Sequence, residues 1–539
     1  MPPLNPLTQL ETHEVMNQPA ARPDLDLWQN DKILRHYAEQ MGADQSDLGH
    51  FGSKLGHEDM RKAGRDANRY PPELNIFDAS GRRIDEVSFH PAYHRLMDFG
   101  LTNGYAARPW EDKPGRHTNH AAMVYMMAEV EPGVSCPMTM TYAAKPALEA
   151  SPVIAAEWIP RLLSRRYDPA ARPVEDKSGV TIGMAMTEKQ GGSDVRANST
   201  IATPDGDGYL LRGHKWFCSA PMCDAFLTLA QAEGGLTCFL VPRWTPDRQR
   251  NGIQVMRLKD KLGNRANASS EIEYHDAFAW RLGDEGKGVK TIVEMVHHTR
   301  LDTAMAPAGL MRAALSEAHW WVEGRTAFQR RLIDQPLMRS VLADMVLEHE
   351  ATTAIGMRVA KAFDGDSATD RAFSRIAVAL AKFISNKRCP NFIYEAMECL
   401  GGIGYVEESP LPLLYREAPL NSIWEGSGNV ICLDILRSLT REPLAGEVLF
   451  AEINAAKGAD RRFDDALKAF HSRWPGLAPE SEARWFAERL AVLLQGSILL
   501  RHAPDAIADG FIATRVAGEQ GWVLGAVSLG DTGGILARL

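Results

Sequence analysis

The chain has 539 residues, a formal net charge of −9, and 45% hydrophobic and 24% charged residues, enough for roughly three to five soluble domains with sizeable cores. The acidic balance speaks against a protein that coats nucleic acid over its whole surface, and leaves a local basic patch open. Seven cysteines without a Cys-x-x-Cys pair speak against zinc or a redox dithiol, so no metal is expected, and the odd number suits a reducing cytosol.

Met1 to Val15 lacks the basic start and apolar stretch of a secretory leader, and runs such as Leu490–Leu500 are too short to span a bilayer. A cytoplasmic protein with no membrane partner is expected. Residues 1–30 are Pro-rich and irregular, and are predicted to lie over another surface. From Asp31 to about Arg172 the pattern is mostly helical, with apolar residues at helical spacing from Asp31 to Met41. Met123–Met127 and Ile154–Leu163 are predicted as further buried helices between Pro and Gly breaks.

The character changes near Gly179. Tyr209–Arg212, Phe226–Ala230, Thr237–Val241 and Ser270–Tyr274 are short and β-prone, separated by turn signals such as Asp205-Gly-Asp-Gly208 and Gly234-Gly235. They predict a small antiparallel β domain ending near Gly288. Residues 289–324, 336–364, 370–400 and 428–440 are long and amphipathic, which predicts a four-helix bundle. Beyond Glu442, helical pieces are punctuated by Pro443, Gly446, Pro475-Gly476 and Pro479. The expected fold class is mainly α with a central antiparallel β domain. The expected units are 1–178, an N-terminal extension and helical domain; 179–288, the β domain; 289–440, the helical bundle; and 441–539, an extra C-terminal helical module.

Ala185-Met-Thr-Glu-Lys-Gln-Gly-Gly-Ser-Asp194 is the densest polar motif. Glycines let a backbone approach a flat or anionic ligand closely, and hydroxyls and free N–H groups then supply short hydrogen bonds. A polar loop between two strands is the plain alternative. No Gly-x-Gly-x-x-Gly joins a strand to a helix, so a Rossmann site is not favoured.

Six ordered blocks resemble the acyl-CoA dehydrogenases over roughly residues 90–440. The first is Ala185–Asp194, and the second is Gly213-His-Lys-Trp-Phe-Cys-Ser219. The third is the turn Leu282-Gly-Asp-Glu-Gly-Lys-Gly288, followed by Met295–Arg300. The fourth contains Arg325, Phe328, Gln335 and Leu342-Ala-Asp-Met345, at the family's dimer-contact spacing. The fifth is Glu398-Cys-Leu-Gly-Gly-Ile-Gly-Tyr405, with Leu413 where the family carries Lys or Arg. The sixth is Ile423-Trp-Glu-Gly-Ser-Gly-Asn429.

The resemblance implies FAD as cofactor. Met184, Met186, Thr187, Gly192, Ser193, Phe217, Cys218 and Ser219 would then form one flavin wall, with Thr187 and Ser193 bonding flavin or phosphate, Phe217 covering the ring and Ser219 near N5. Arg325, Phe328, Gln335, Gly401 and Gly402 would reach FAD bound mainly to a neighbouring subunit. Ile423, Trp424, Gly426, Ser427 and Asn429 would complete the cofactor contacts. It also implies that Glu425 is the base that takes the α-proton of an acyl-CoA thioester; a carboxyl in a closed apolar pocket has the raised pKa this needs. The alternative is a glutamate kept in place beside a pocket that no longer admits an acyl-CoA.

Further segments resemble the AidB branch of that family, linked to the bacterial adaptive response to DNA alkylation. They are Thr12–Pro19, Asn68–Leu74, Met184–Asp194, Arg257–Arg265 and Asn421–Asn429. With them the resemblance covers almost the whole chain, thinning after residue 470. This branch implies a homotetramer with FAD, weak dehydrogenase activity on short branched acyl-CoA, and binding of double-stranded DNA. Its implied DNA candidates are Arg437 and the C-terminal Lys457, Arg461, Arg462, Lys468 and Arg473. Residues 441–539 hold eleven basic against thirteen acidic residues, so a solvated helix face explains these charges equally well. A metabolic acyl-CoA dehydrogenase with no DNA role is the alternative.

Overall fold

The computed structural model describes residues 6–539, so the first five residues of the N-terminal extension lie outside the described residues. The rest of the extension lies over the bundle as a strap. Arg22 donates to Ser316 O (3.2 Å) and pairs with Glu317 (2.9 Å), and Trp320 Nε1 donates to Ala20 O.

The N-terminal helices are α1 Lys32–Gln40, α2 Gln45–Leu55, α3 Glu58–Arg69, α4 Pro91–Thr102, α5 Arg116–Val130, α6 Ser135–Ala143, α7 Lys145–Leu148 and α8 Pro152–Leu162. The starts of α1 and α2 are set by Asp31 and Asp44, whose carboxylates accept from the first free backbone N–H groups. Helix α5 is buried on nearly every side, which marks it as the centre of its layer. A hairpin, β1 Glu73–Phe77 with β2 Arg83–Ser88, interrupts this region, which the sequence pattern predicts to be mostly helical. Its strands are short and largely exposed, and the alternation along Glu73–Ile76 is not continued in β2. Asp78 closes the turn by accepting from Ser80 N and Arg82 N.

The central sheet comprises β3 Ile182–Ala185, β4 Ile201–Asp205, β5 Gly208–Ser219, β6 Ala225–Ala232, β7 Gly235–Pro242, β8 Ile253–Leu258 and β9 Ser269–Leu282. Most pairs are antiparallel, as expected, but β3 runs parallel to β6 and β4 meets β6 in parallel. The reason is that β3 enters from the helical domain beside β6, and the 186–200 loop must cross back before β4.

The bundle is α9 Gly288–Gly324, α10 Pro336–Asp364, α11 Ala368–Leu400, the short α12 Leu411–Glu417, and α13 Gly428–Arg441. Helix α9 carries Pro307 inside it. Proline has no N–H and frees the carbonyl four residues back. Asn386 of α11 takes that place by donating to Thr303 O at 2.9 Å, so α9 and α11 are tied where a helix would otherwise weaken. The C-terminal module, α14 Pro443–Asn454, α15 Arg461–Arg473, α16 Ala483–His502 and α17 Asp505–Phe511, packs on α10, α11 and α13. A π-helical turn at Ile512–Val516 follows.

Candidate active site

The end of β3 and the adjoining stretch of β5 form one wall. Trp216 N donates to Thr187 O at 2.8 Å, which ties the polar loop to the strand. Glu188 is a structural member of that loop: its carboxylate takes Lys215 Nζ at 2.8 Å, Thr200 Oγ1 at 2.6 Å and Ser199 N at 2.6 Å. Burial raises the pKa of Glu188, but Lys215 and these donors outweigh it and leave the carboxyl far below its usual range. A Cβ on Gly192 would lie 2.3 Å from Thr187 Oγ1, so glycine is required for the close approach. Met184, Met186 and Thr187 are half-buried, and Ser193 is exposed.

Alternation along β5 divides the next motif. Phe217, 49% exposed, and Ser219 share the open face, while the side chain of Cys218 is buried in the sheet core. Only the backbone of Cys218 is therefore open to a ligand. A half-exposed aromatic ring with the Lys259 ammonium 4.8 Å from its centre, hydroxyls on either flank and a glycine backbone form a lining that fits an isoalloxazine ring.

Glu425 lies between α12 and α13 with a left-handed backbone, φ +58°. Three side chains hold it. Thr299 Oγ1 donates to Glu425 Oε2 at 2.7 Å, and Arg300 Nε donates to Glu425 O at 3.2 Å. Lys382 Nζ donates to the carbonyls on both sides, Trp424 O at 2.9 Å and Gly426 O at 2.8 Å. Arg300 is fixed in turn by Asp434, which Arg375 also grips. Burial raises the carboxyl above its usual range, against the opposing pull of Thr299, Lys382 and Arg300. The same burial pushes the Lys382 ammonium down to about 7, against the attraction of Glu425. Thr299, Lys382 and this role of Arg300 escape sequence reasoning, because each becomes a neighbour of Glu425 only through helix packing.

The neighbouring block is mixed. Ile423 is exposed, Ser427 is half-buried, and Trp424 Nε1 donates to Asn421 Oδ1 at 2.7 Å. Gly426 has φ +100°. Asn429 Oδ1 accepts from Arg484 of α16 at 2.9 Å, so the C-terminal module reaches the edge of the site.

Arg325, Phe328, Gln335, Gly401 and Gly402 form a second group around the far end of α9. At about 1.5 Å per helical residue, Arg325 lies roughly 39 Å from Thr299. One copy of the chain therefore cannot bring both groups around one flavin ring. Arg325 donates to Asn17 O and Gln18 Oε1 and stacks on Trp321. Gln335 Nε2 donates to Ala327 O. Phe328 is 95% exposed, and a Cβ on Gly401 or Gly402 would meet nothing within 4 Å. Leu342–Met345, expected as a dimer contact, is instead buried within this chain; Asp344 pairs with Arg515 of the C-terminal module.

The candidate DNA residues divide as well. Arg462 is bound by Asp460 and Asp509, Arg473 by Glu482, and Arg461 by Asp465. Arg437, Lys457 and Lys468 are exposed, and among the described residues none of the three forms an ion pair. No helix of the described chain is long and apolar enough to cross a membrane.

A helical layer, a central sheet and a helical bundle with a carboxylate at its mouth make the fold that of an acyl-CoA dehydrogenase, an FAD-carrying oxidoreductase class. The profile of the adaptive response protein AidB N-terminal domain matches residues 17–169, the acyl-CoA dehydrogenase middle domain 183–277, and the acyl-CoA dehydrogenase C-terminal domain 286–440. The chain is 45% identical to the AidB protein of Escherichia coli (strain K12) over 508 residues, 93% of this chain and 94% of that one. It is 32% identical to acyl-CoA dehydrogenase family member 11 of Caenorhabditis elegans, over 88% of this chain and 83% of that one. The solved Caenorhabditis elegans ACDH-11 in complex with C11-CoA superposes with a TM-score of 0.82 at 28% identity, covering 97% and 96% of the two chains. The chain belongs to the acyl-CoA dehydrogenase family, in its AidB branch.

Proposed function

We propose that this protein slowly oxidises a short, branched acyl-CoA thioester and that it also binds double-stranded DNA, in protection against alkylation damage. The observation that carries the catalytic half is the Glu425 carboxyl, raised by burial and held by Thr299 at 2.7 Å. A carboxylate of raised pKa is a competent base toward a weakly acidic C–H next to a thioester carbonyl. Thr299 holds the carboxyl in one orientation, and Arg300 and Lys382 hold its backbone. FAD, when bound, supplies the acceptor for a hydride from the β-carbon. Thr187, Gly192, Ser193, Phe217 and Ser219 would hold its ring half. Arg325, Phe328, Gln335, Gly401 and Gly402 of a second copy would hold the other half, consistent with the roughly 39 Å that separates the groups on one α9. A homotetramer built from such pairs is the assembly we propose.

The DNA half rests on the unpaired cations Arg437, Lys457 and Lys468 and on the 45% identity to AidB. Two assays test the whole reading. An acyl-CoA panel with an artificial electron acceptor should give low turnover, best on short branched chains, that Glu425→Gln abolishes; unchanged turnover in the variant removes Glu425 as the base. Duplex DNA titrated across salt should bind more weakly along a log–log line as salt rises. No binding at low salt would leave a metabolic dehydrogenase with no DNA role.

A further inference from the structure

Two of the segments that mark the AidB branch each hold a buried carboxylate. Asn68 of α3 donates to Glu131 at 3.3 Å, and Asn264, on the loop between β8 and β9, donates to Glu417 of α12 through its backbone N and its side chain. Lys261 lies on that same loop, partly buried where the helical domain, the sheet and the bundle join. Its ammonium donates to Asn267 O and, at 3.1 Å, to Ser269 Oγ. Among the described residues Lys261 forms no ion pair. The nearby carboxylates are engaged elsewhere, Glu131 by Val134 N and Asn68, and Glu417 by Asn264. Ser269 Oγ lies 3.5 Å from Ser219 Oγ, and the Cys136 thiol stands against Ser219 from α6.

The direction of the first link follows from the chemistry of its donor. An ammonium has three donors and no acceptor. Ser269 must therefore accept from Lys261, which leaves its own proton for Ser219. At 3.5 Å the Ser219 and Ser269 hydroxyls are in long contact and either can donate; when Ser269 donates, the Ser219 proton is turned toward whatever lies in front of β5. Cys136 does not compete as an anion, because burial pushes its thiol up to about 12.

We infer that Lys261 is a positioning residue for the flavin, acting through Ser269 to turn the Ser219 hydroxyl into a donor toward the hydride-accepting edge of FAD. This rests on the reading of Phe217 and Ser219 as the flavin wall. An oxidised flavin presents a ring-nitrogen acceptor there, which a donor of fixed direction engages and positions, while the cation behind it favours electron uptake. Burial pushes Lys261 down to about 8, against Cys136, Glu417 and Glu131, the ionisable groups that face it from α6, α12 and the α5–α6 turn. The device is thus switched on below that pH and fades above it.

The test uses the full-length FAD-loaded protein and reads the midpoint potential and visible absorption of the bound flavin against pH. The wild type should show a step in potential near about 8, where Lys261 loses its proton. Lys261→Met should lower the potential, remove the step, and cut kcat/KM at pH 7 about tenfold, the loss of one charge-assisted hydrogen bond. Lys261→Arg should keep the high potential and lose the step, because a guanidinium stays charged. Ser269→Ala should keep the pH step, because the ammonium remains, and shift the visible absorption of the bound flavin as the Ser219 hydroxyl loses its fixed direction. If Lys261→Met does not fold, the arginine and Ser269 variants carry the test. A wild-type potential and pH step in Lys261→Met, or a wild-type flavin absorption in Ser269→Ala, would overturn the inference. A wild type that takes up no FAD would instead overturn the cofactor reading beneath it.

Discussion

Lys382 sits behind Glu425 and donates to the carbonyls on either side of it, Trp424 O at 2.9 Å and Gly426 O at 2.8 Å. The φ of +58° at Glu425 is a conformation that costs a non-glycine residue about 1–3 kcal/mol. One ammonium both holds that strained turn and lowers the proton affinity of the carboxyl it flanks. The two effects are separable by experiment.

Lys382→Met removes a positive charge from beside Glu425. The carboxyl, already raised by burial, then rises further. A base works only when ionised, so the acid limb of the kcat/KM profile should move to higher pH, with the loss greatest on the acidic side. Lys382→Arg should keep the limb in place. The check is a pH–rate profile on FAD-loaded enzyme, and an unmoved limb in Lys382→Met would refute the electrostatic role.

Thr299→Val removes the hydroxyl that donates to Glu425 Oε2 at 2.7 Å while keeping the shape of the side chain. Both the orientation of the carboxyl and part of its stabilisation as an anion go with it. A fall in kcat of about tenfold or more is expected for one hydrogen bond to a charged group, with KM little changed. Equal changes in KM and kcat would point to a disturbed pocket instead.

The uneven legibility of this site has a physical cause. Glu425 and the Ala185–Asp194 loop stand out in the sequence because glycines, hydroxyls and a carboxylate cluster locally. The long helices α9, α10 and α11 stand out because an apolar stripe recurs every turn over many turns. Lys382 does not stand out, because it lies mid-helix among Ala381 and Phe383, and its partners lie on another element. The β1–β2 hairpin escapes because neither strand buries a full face. Glu188, within the flavin motif, is in fact a buried partner of Lys215, a role that emerges only when β5 is laid beside the loop.

Charge reversal separates the two kinds of cation in the C-terminal module. Lys457→Glu with Lys468→Glu should weaken duplex DNA binding and reduce the salt slope by about one for each lysine that meets a phosphate. Arg473→Gln should change little, because Glu482 at 3.1 Å and the Trp485 ring already occupy that guanidinium. Anisotropy of labelled duplex across a salt series measures both. An unchanged slope in the double variant would move the DNA face away from α15.

The joint between the C-terminal module and the bundle gives a stability prediction with a pH sign. Arg515, on the π-helical turn, is buried against Asp344 and, at 3.2 Å, against Glu348 of α10; Asp344 also accepts from Gly525 N at 2.8 Å. Removing one partner of a buried charge cluster typically costs about 3–5 kcal/mol, because the remaining charges stay desolvated. Arg515→Met should therefore lower stability by about that much at neutral pH. Burial raises the Glu348 carboxyl, but Arg388 and Arg515 outweigh it and hold the pKa below its usual value. In the wild type this carboxylate therefore contributes stability above its unfolded pKa, which is lost as pH falls through the lower folded value. Without Arg515 the Glu348 pKa rises, so that contribution shrinks or reverses, and acidification hurts the variant less than the wild type. Urea unfolding at pH 7 and again at about pH 4, below the unfolded glutamate pKa of about 4.3, should show the gap between the two proteins narrowing with acid. A gap that stays constant across that range would mean Arg515 acts by packing rather than by charge.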